Sequence, residues 1–263
     1  DVPARLSPGD SLLLELSYKG QIDERICYLN VPDAEITDTR ERMYLACRLG
    51  KRYSYLRKDF TLLIPEVLWY PTTVPPENPG SPYDNSRDFT RYSLRVRNYG
   101  KNKVISQGMR MKKGDQLVFR NESPLPGLTL NIGDYVTRQL IVDSVTYELH
   151  VWRKHASLLK LLNDRLLPSP VREGTSARSI IRGARHVAEI SAGNKYPYKR
   201  FQLVETPLDF TSYFRNEMKC SGFVQPEVLY FPERGFGTKI FSSEVEVAVH
   251  LLLFREEVWR NTF

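Results

Sequence analysis

The stretch "LIVDSVTYELHVWRKHASLLKLLNDRLL", Leu140 to Leu167, changes its hydrophobic period midway. Up to Trp152 the apolar side chains fall at every second position, with Ile141, Val145, Tyr147, Leu149 and Val151 on one face, which is the pattern of a strand with one buried side. Beyond it Leu158, Leu159, Leu162 and Leu166 line one stripe of a helix. The switch divides the chain, and two lobes are expected to meet between about Trp152 and Ser157.

Working back from that switch, the period of two recurs. "SLLLELSYKG" places Leu12, Leu14, Leu16 and Tyr18 on one face, and "TRYSLRVRN", "QLVFRNE" and "GLTLNIG" repeat the alternation. Gly, Pro, Asn and Asp fill the gaps in "NYGKNK", "KKGDQ" and "ESPLPG", so antiparallel strands joined by turns are expected. Residues 1–152 therefore predict a β-sandwich burying Leu12, Leu14, Leu16, Tyr92, Leu94, Val145, Tyr147 and Leu149. "PTTVPPENPGSPYDNSRD" between strands reads as an exposed loop.

Working forward, "SARSIIRGARHVAEI" predicts a helix, with Ile180, Ala184, Val187 and Ala188 on its apolar stripe. "FQLVET" predicts a strand, and "FVQPEVLYF" an extended apolar run. In "SSEVEVAVHLLLFREEVW", Ser243 followed by Glu246 marks a helix start of the capping-box kind. The fold class is thus α+β: an antiparallel sandwich over 1–152, then a smaller mixed α/β lobe over 153–263.

Composition bounds the function. The chain has 263 residues, 41% of them hydrophobic and 26% charged, which suits a globular protein with two cores of moderate size. No apolar run approaches the roughly 20 residues needed to cross a bilayer. The first residues, "DVPARLSPGD", have no initiator Met and no signal region, so a piece of a larger protein is expected. A formal charge of +7 raises the question of nucleic acid. The basic residues read as scattered, however, with Arg91, Arg95 and Arg97 alternating with Tyr92, Leu94 and Val96 as on the solvated face of a strand, and no nucleic-acid partner is expected. Cys27, Cys47 and Cys220 lie too far apart for the C-x-x-C knuckles of a structural zinc site, and their disulfide state stays open.

Catalytic motifs are scarce. His150 and His186 read as surface residues, His155 as decoration of the linker, and His250 as a buried or half-buried residue of an apolar helix. A zinc-binding H-E-x-x-H helix would need Glu after His250 and His one turn later, where Leu251 and Phe254 stand. No G-x-S-x-G elbow, phosphate loop or dinucleotide fingerprint occurs.

"YPYKRFQLVETP", Tyr196 to Pro207, resembles the segment that opens the catalytic domain in the aminopeptidase N type of zinc metallopeptidase, a gluzincin family. There a helix ends in a Tyr-Pro-Tyr turn and runs into an "LVxxP" strand. "PLPGLTLNIGDYVTRQLIVDSVTYELHVWRKH" looks like the end of that family's N-terminal sandwich, and "LWYPTT" falls at its aromatic-Pro turn. The resemblance implies that the second lobe is the incomplete start of a thermolysin-like domain. It also implies that "SGFVQPEVLYFPE" stands for the strand carrying G-A-M-E-N, with Ser221, Gly222, Phe223, Val224 and Gln225 as the substrate-strand positions. The amine-binding Glu is then Val224, and the family's Gln anchor before the aromatic-Pro turn finds no counterpart in "DFTLLIPEVLWYP".

The resemblance and the missing anchors together lead to the expectation of a degenerate, non-catalytic aminopeptidase-like module for peptide or protein binding or structural contact. It would have no catalytic residue, metal or cofactor in this chain. It would be an extracytoplasmic part, periplasmic or at the cell surface, of a bacterial membrane protein, attached through flanking segments. The alternative is a fragment of an active zinc peptidase whose metal site lies outside the chain. A carbohydrate- or protein-binding sandwich with exposed aromatics is the reading outside the family.

Overall fold

The computed structural model describes residues 12–21, 55–64, 69–71, 89–125, 127–162, 176–206, 223–225 and 227–232. Within them the protein is mainly β, with three sheets and two helical segments.

A four-stranded sheet is built from β1 (Tyr55–Leu56), β2 (Phe60–Leu63), β4 (Lys103–Ser106) and β7 (Leu130–Gly133), in the order β1-β2-β7-β4 and antiparallel throughout. A three-stranded sheet joins β3 (Ser93–Val96), β5 (Met109–Lys113) and β6 (Gln116–Arg120), with β6 central. The third sheet has five strands in the order β11-β12-β10-β9-β8: β8 (Tyr135–Val142), β9 (Val145–Trp152), β10 (Arg200–Thr206), β11 (Phe223–Gln225) and β12 (Val228–Pro232).

Three apolar clusters hold the layers together. Val96 and Phe119 of the three-stranded sheet pack on Leu63, Val104 and Leu130 of the four-stranded one. The latter's other face places Phe60, Leu62 and Ile105 against Tyr135, Val204, Val228 and Tyr230 of the five-stranded sheet. On the far side of that sheet Tyr147, Leu149, Phe201 and Leu203 meet Leu162, Ala177 and Ile181 of the helical layer. Such burial supplies most of the driving force, at ~25 cal/mol per Å² of apolar surface.

The change of period at Trp152 marks a change of element and is no boundary between sheets. β9 pairs in parallel with β10, Leu149 opposite Leu203, so one sheet runs across the expected meeting point of the lobes. Parallel neighbours need a long crossover, and the helical layer after Trp152 supplies it. β8 and β9, expected as the last sandwich strands, belong to this sheet. They also form a hairpin: Asp143 and Ser144 sit at φ 46° and 68°, the paired positive values of a two-residue turn. The turn reverses the chain after Val142, which pairs with Val145, so Ile141 falls opposite Thr146 and is exposed, whereas Val145, Tyr147, Leu149 and Val151 are buried.

The first expected strand is absent. Residues 12–21 form no strand, and Leu12, Leu14 and Leu16 are 47%, 66% and 61% exposed. Alternation specifies a face but supplies no neighbour; among the described residues this segment is tied by one bond, from the Tyr18 hydroxyl to the Trp69 carbonyl at 3.0 Å. Tyr92 and Leu94 are half-buried.

Arg153–Leu162 is a 3₁₀ segment kinked at His155 in place of the expected α-helix, although Leu162 is buried as anticipated. Helix α1, Ala177–Ala192, forms where it was expected. Ser176 caps its N-terminus by accepting from Ser179 N, and Gly193 ends it at φ 69°. No described helix is long and apolar enough to cross a membrane. The 72–88 loop, the helix expected from Ser243 to Trp259, His250, the three cysteines and side-chain burial at Ala184, Val187 and Ala188 lie outside the described residues.

Candidate functional site

"FVQPEVLYF" is a hairpin where a single extended run was expected. Phe223 lies opposite Tyr230 and Gln225 opposite Val228, so only Pro226 and Glu227 separate the strands. Glu227 takes a left-handed φ of 66°. β12 becomes an inner strand beside β10, and β11 becomes the edge of the five-stranded sheet. Of the sequence-predicted substrate-strand residues, Phe223, Val224 and Gln225 therefore lie on that edge, while Ser221 and Gly222 fall outside the described residues.

The hairpin turn is fastened to the other layers by Glu227, whose Oε2 accepts from Gly108 N at 2.5 Å. Arg200 lies 3.6 Å from the same oxygen, and its Nη2 donates to the carbonyls of Ser106 and Gly108. A cleft of about 410 Å³ opens beside this turn, lined among others by Arg110, Arg120, Glu148, Tyr198, Arg200 and Glu227. Tyr198 comes from the Tyr-Pro-Tyr turn, where the ring of Tyr196 stands edge-on to Tyr198 at 5.6 Å and its hydroxyl donates to the Arg200 carbonyl.

The two carboxyls of the cleft are pushed apart. Burial raises the pKa of Glu227, more than Arg200 and the Gly108 N–H lower it. Burial also acts against ionised Glu148, but the contact with His150 together with Arg200 and Gln139 outweighs it and holds this carboxyl well below its usual range. His150 Nε2 lies 3.1 Å from Glu148 Oε2, and Nδ1 lies 2.8 Å from the Thr137 hydroxyl. The ionised Glu148 carboxylate can only accept, so a neutral imidazole carries its proton on Nε2, and Nδ1 then accepts from the Thr137 hydroxyl, which itself accepts from Lys103 Nζ. Burial lowers the His150 pKa against the pull of Glu148, which fits a neutral ring.

These positions correct two expectations. His150 is buried because its strand is central and covered on both faces, so the polar side of β9 faces the four-stranded sheet instead of water. His155 does not merely decorate a linker: its Nδ1 lies 2.6 Å from Oε1 of the fully buried Glu205. His186 is exposed as expected. No three His, Cys, Asp or Glu side chains among the described residues converge to fit a metal ion.

A stability prediction arises from Glu227. A carboxyl with a raised native pKa binds its proton more tightly folded than unfolded, so its contribution to stability falls as pH rises above the ordinary Glu range. Glu227→Gln should therefore match the parent near pH ~4 and exceed it in urea midpoint near pH ~7. A constant difference between the two pH values would contradict this.

No family model matches the chain, and no curated protein matches it in sequence. Among solved structures, it is similar to Legionella pneumophila aminopeptidase A, crystallised with aspartic acid, with a TM-score of 0.49 and 10% identity over 77% of this chain and 23% of that one. It is also similar to an aminopeptidase N family protein from Idiomarina loihiensis, with a TM-score of 0.38 and 12% identity over 71% of this chain and 26% of that one. The chain thus spans about a quarter of the length of either structure.

Sequence reasoning missed Glu148, Arg200 and Glu227 as cleft residues. Their only common signal is polarity inside apolar strands or at a strand end, which gives no indication of what they face.

Proposed function

We propose that the chain is a non-catalytic, aminopeptidase-like module that receives an extended peptide along the outer edge of β11. The observation that carries this reading is the position of Phe223–Gln225: no described strand pairs with the outer side of β11. An edge strand presents a row of backbone donors and acceptors, and a peptide laid alongside it gains main-chain hydrogen bonds. The resemblance of "SGFVQPEVLYFPE" to the substrate strand of the aminopeptidase N type supports the same edge. With Val224 where that family has the amine-binding Glu, selectivity for a free amino terminus is lost. The reading extends to an extracytoplasmic part of a larger bacterial protein attached to the membrane.

The test is a pair of measurements on the purified chain. A fluorescent peptide with a free amino terminus and its acetylated form should bind with similar affinity, and amino-acid fluorophores should not be released even with added zinc. Val224→Glu should create a preference for the free amine of at least about tenfold, the scale of one hydrogen bond to a charged group. Turnover abolished by a chelator would establish a peptidase instead, and failure of both peptides to bind would overturn peptide reception.

A further inference from the structure

Residues 91–122 carry nine Lys or Arg and two Asp or Glu, a net +7 that equals the formal charge of the whole chain. Seven of these basic residues lie on β3, β5, β6 and the turn after β3, whereas Arg91 precedes β3 and Lys103 belongs to β4 of the four-stranded sheet. Val96 lies opposite Leu117, and Lys113 opposite Gln116, so the end of β3 and the β5–β6 turn share one end of the three-stranded sheet. That end presents Arg95, Arg97, Lys101, Lys112 and Lys113, all exposed. Among the described residues none of the five is in an ion pair. Of the two acids in the stretch, Glu122 pairs with Lys199 at 3.7 Å.

We propose that this end of the three-stranded sheet docks on an anionic phospholipid surface. Charges spread over a sheet end and its turns suit a partner whose own charges move laterally to meet them, at about fivefold in affinity per basic residue near the surface. A strand of nucleic acid is the poorer fit. Sheets that bind single strands stack bases on exposed aromatic rings. The side of this sheet facing away from Leu94, Val96, Leu117 and Phe119 has no aromatic residue, its positions being Ser93, Arg95, Met109, Met111, Lys113, Gln116, Val118 and Arg120. The cleft described above lies toward the sheet's other end, at Arg110 and Arg120.

The experiment is co-sedimentation of the purified chain with phosphatidylcholine vesicles, with and without phosphatidylserine. Binding should require phosphatidylserine and weaken with added salt. Replacing Arg95, Lys112 and Lys113 together by Gln should weaken it on the order of 100-fold. The matched control replaces Lys58, Lys160 and Lys195, exposed cations elsewhere, and should change binding little. Equal losses in both triple variants would make net charge the cause and overturn the assignment, as would equal binding to neutral vesicles. Tighter binding to duplex DNA or polyglutamate than to the anionic vesicles at the same salt would overturn it in favour of that partner.

Discussion

Gly108→Ala should lower the unfolding free energy by about 3 kcal/mol or more, combining a strained backbone with an overpacked contact. Gly108 joins β4 to β5 at φ 83°, in the left-handed region, and a Cβ there would lie 1.9 Å from Asn121 Oδ1 and 2.5 Å from the Arg120 carbonyl oxygen. The Arg120 carbonyl belongs to a central strand whose residue pairs with Ser93 on one side and Met109 on the other. Any shift would also disturb the Gly108 N–H that holds Glu227, and with it the turn behind β11. Gly114→Ala separates the two causes, because Gly114 has a similar φ of 60° with nothing within 4 Å of the added carbon. It should cost only about 1 kcal/mol. Urea midpoints of the two variants decide the matter: equal losses would mean that the close approach at Gly108 contributes nothing.

Glu205→Ala should cost about 3 kcal/mol, in the range found when one partner of a buried polar pair is removed. Glu205 is fully buried. One carboxylate oxygen accepts from Trp152 N at 2.9 Å and the other lies 2.6 Å from His155 Nδ1, so the side chain bonds β10 to the end of β9 and to the 3₁₀ segment that follows it. Alanine leaves both groups without this acceptor and opens a void. Glu205→Gln keeps one oxygen for the Trp152 N–H and should lose less than half as much. If the two variants were equally unstable, the negative charge of Glu205 rather than its acceptor geometry would be the stabilising feature.

Much of the element order was legible because it depends on local periodicity. β9, β10, α1 and the turns after β3 and β5 all form where spacing and turn residues put them, and Ser176 and Gly193 cap their helix by chemistry confined to a few neighbouring residues. The basic concentration between Arg91 and Glu122 was equally present in the sequence, but it shows only when charge is summed over that window. The hairpin turns were less visible. Asp143-Ser144 and Pro226-Glu227 are not the Asn-Gly or Asp-Gly pairs that announce a two-residue turn.

Periodicity along the chain therefore determined β9, β10 and α1 and the apolar face of β9, since these depend on neighbours a few residues away. Partner choice belonged to the tertiary structure. The same alternating pattern leaves Leu12, Leu14 and Leu16 exposed and buries Val145, Tyr147 and Leu149, because only the second segment has strands on both sides and helices over its apolar face. The polar face of β9 is decided in the same way. Glu148 and His150 would be solvated on an outer sheet, but the four-stranded sheet covers them, and burial then requires the hydrogen bonds that join them to Thr137 and Gln139. Contacts between residues far apart in the chain, such as Gly108 with Glu227, leave no periodic trace, and they set both the cleft and the edge at β11.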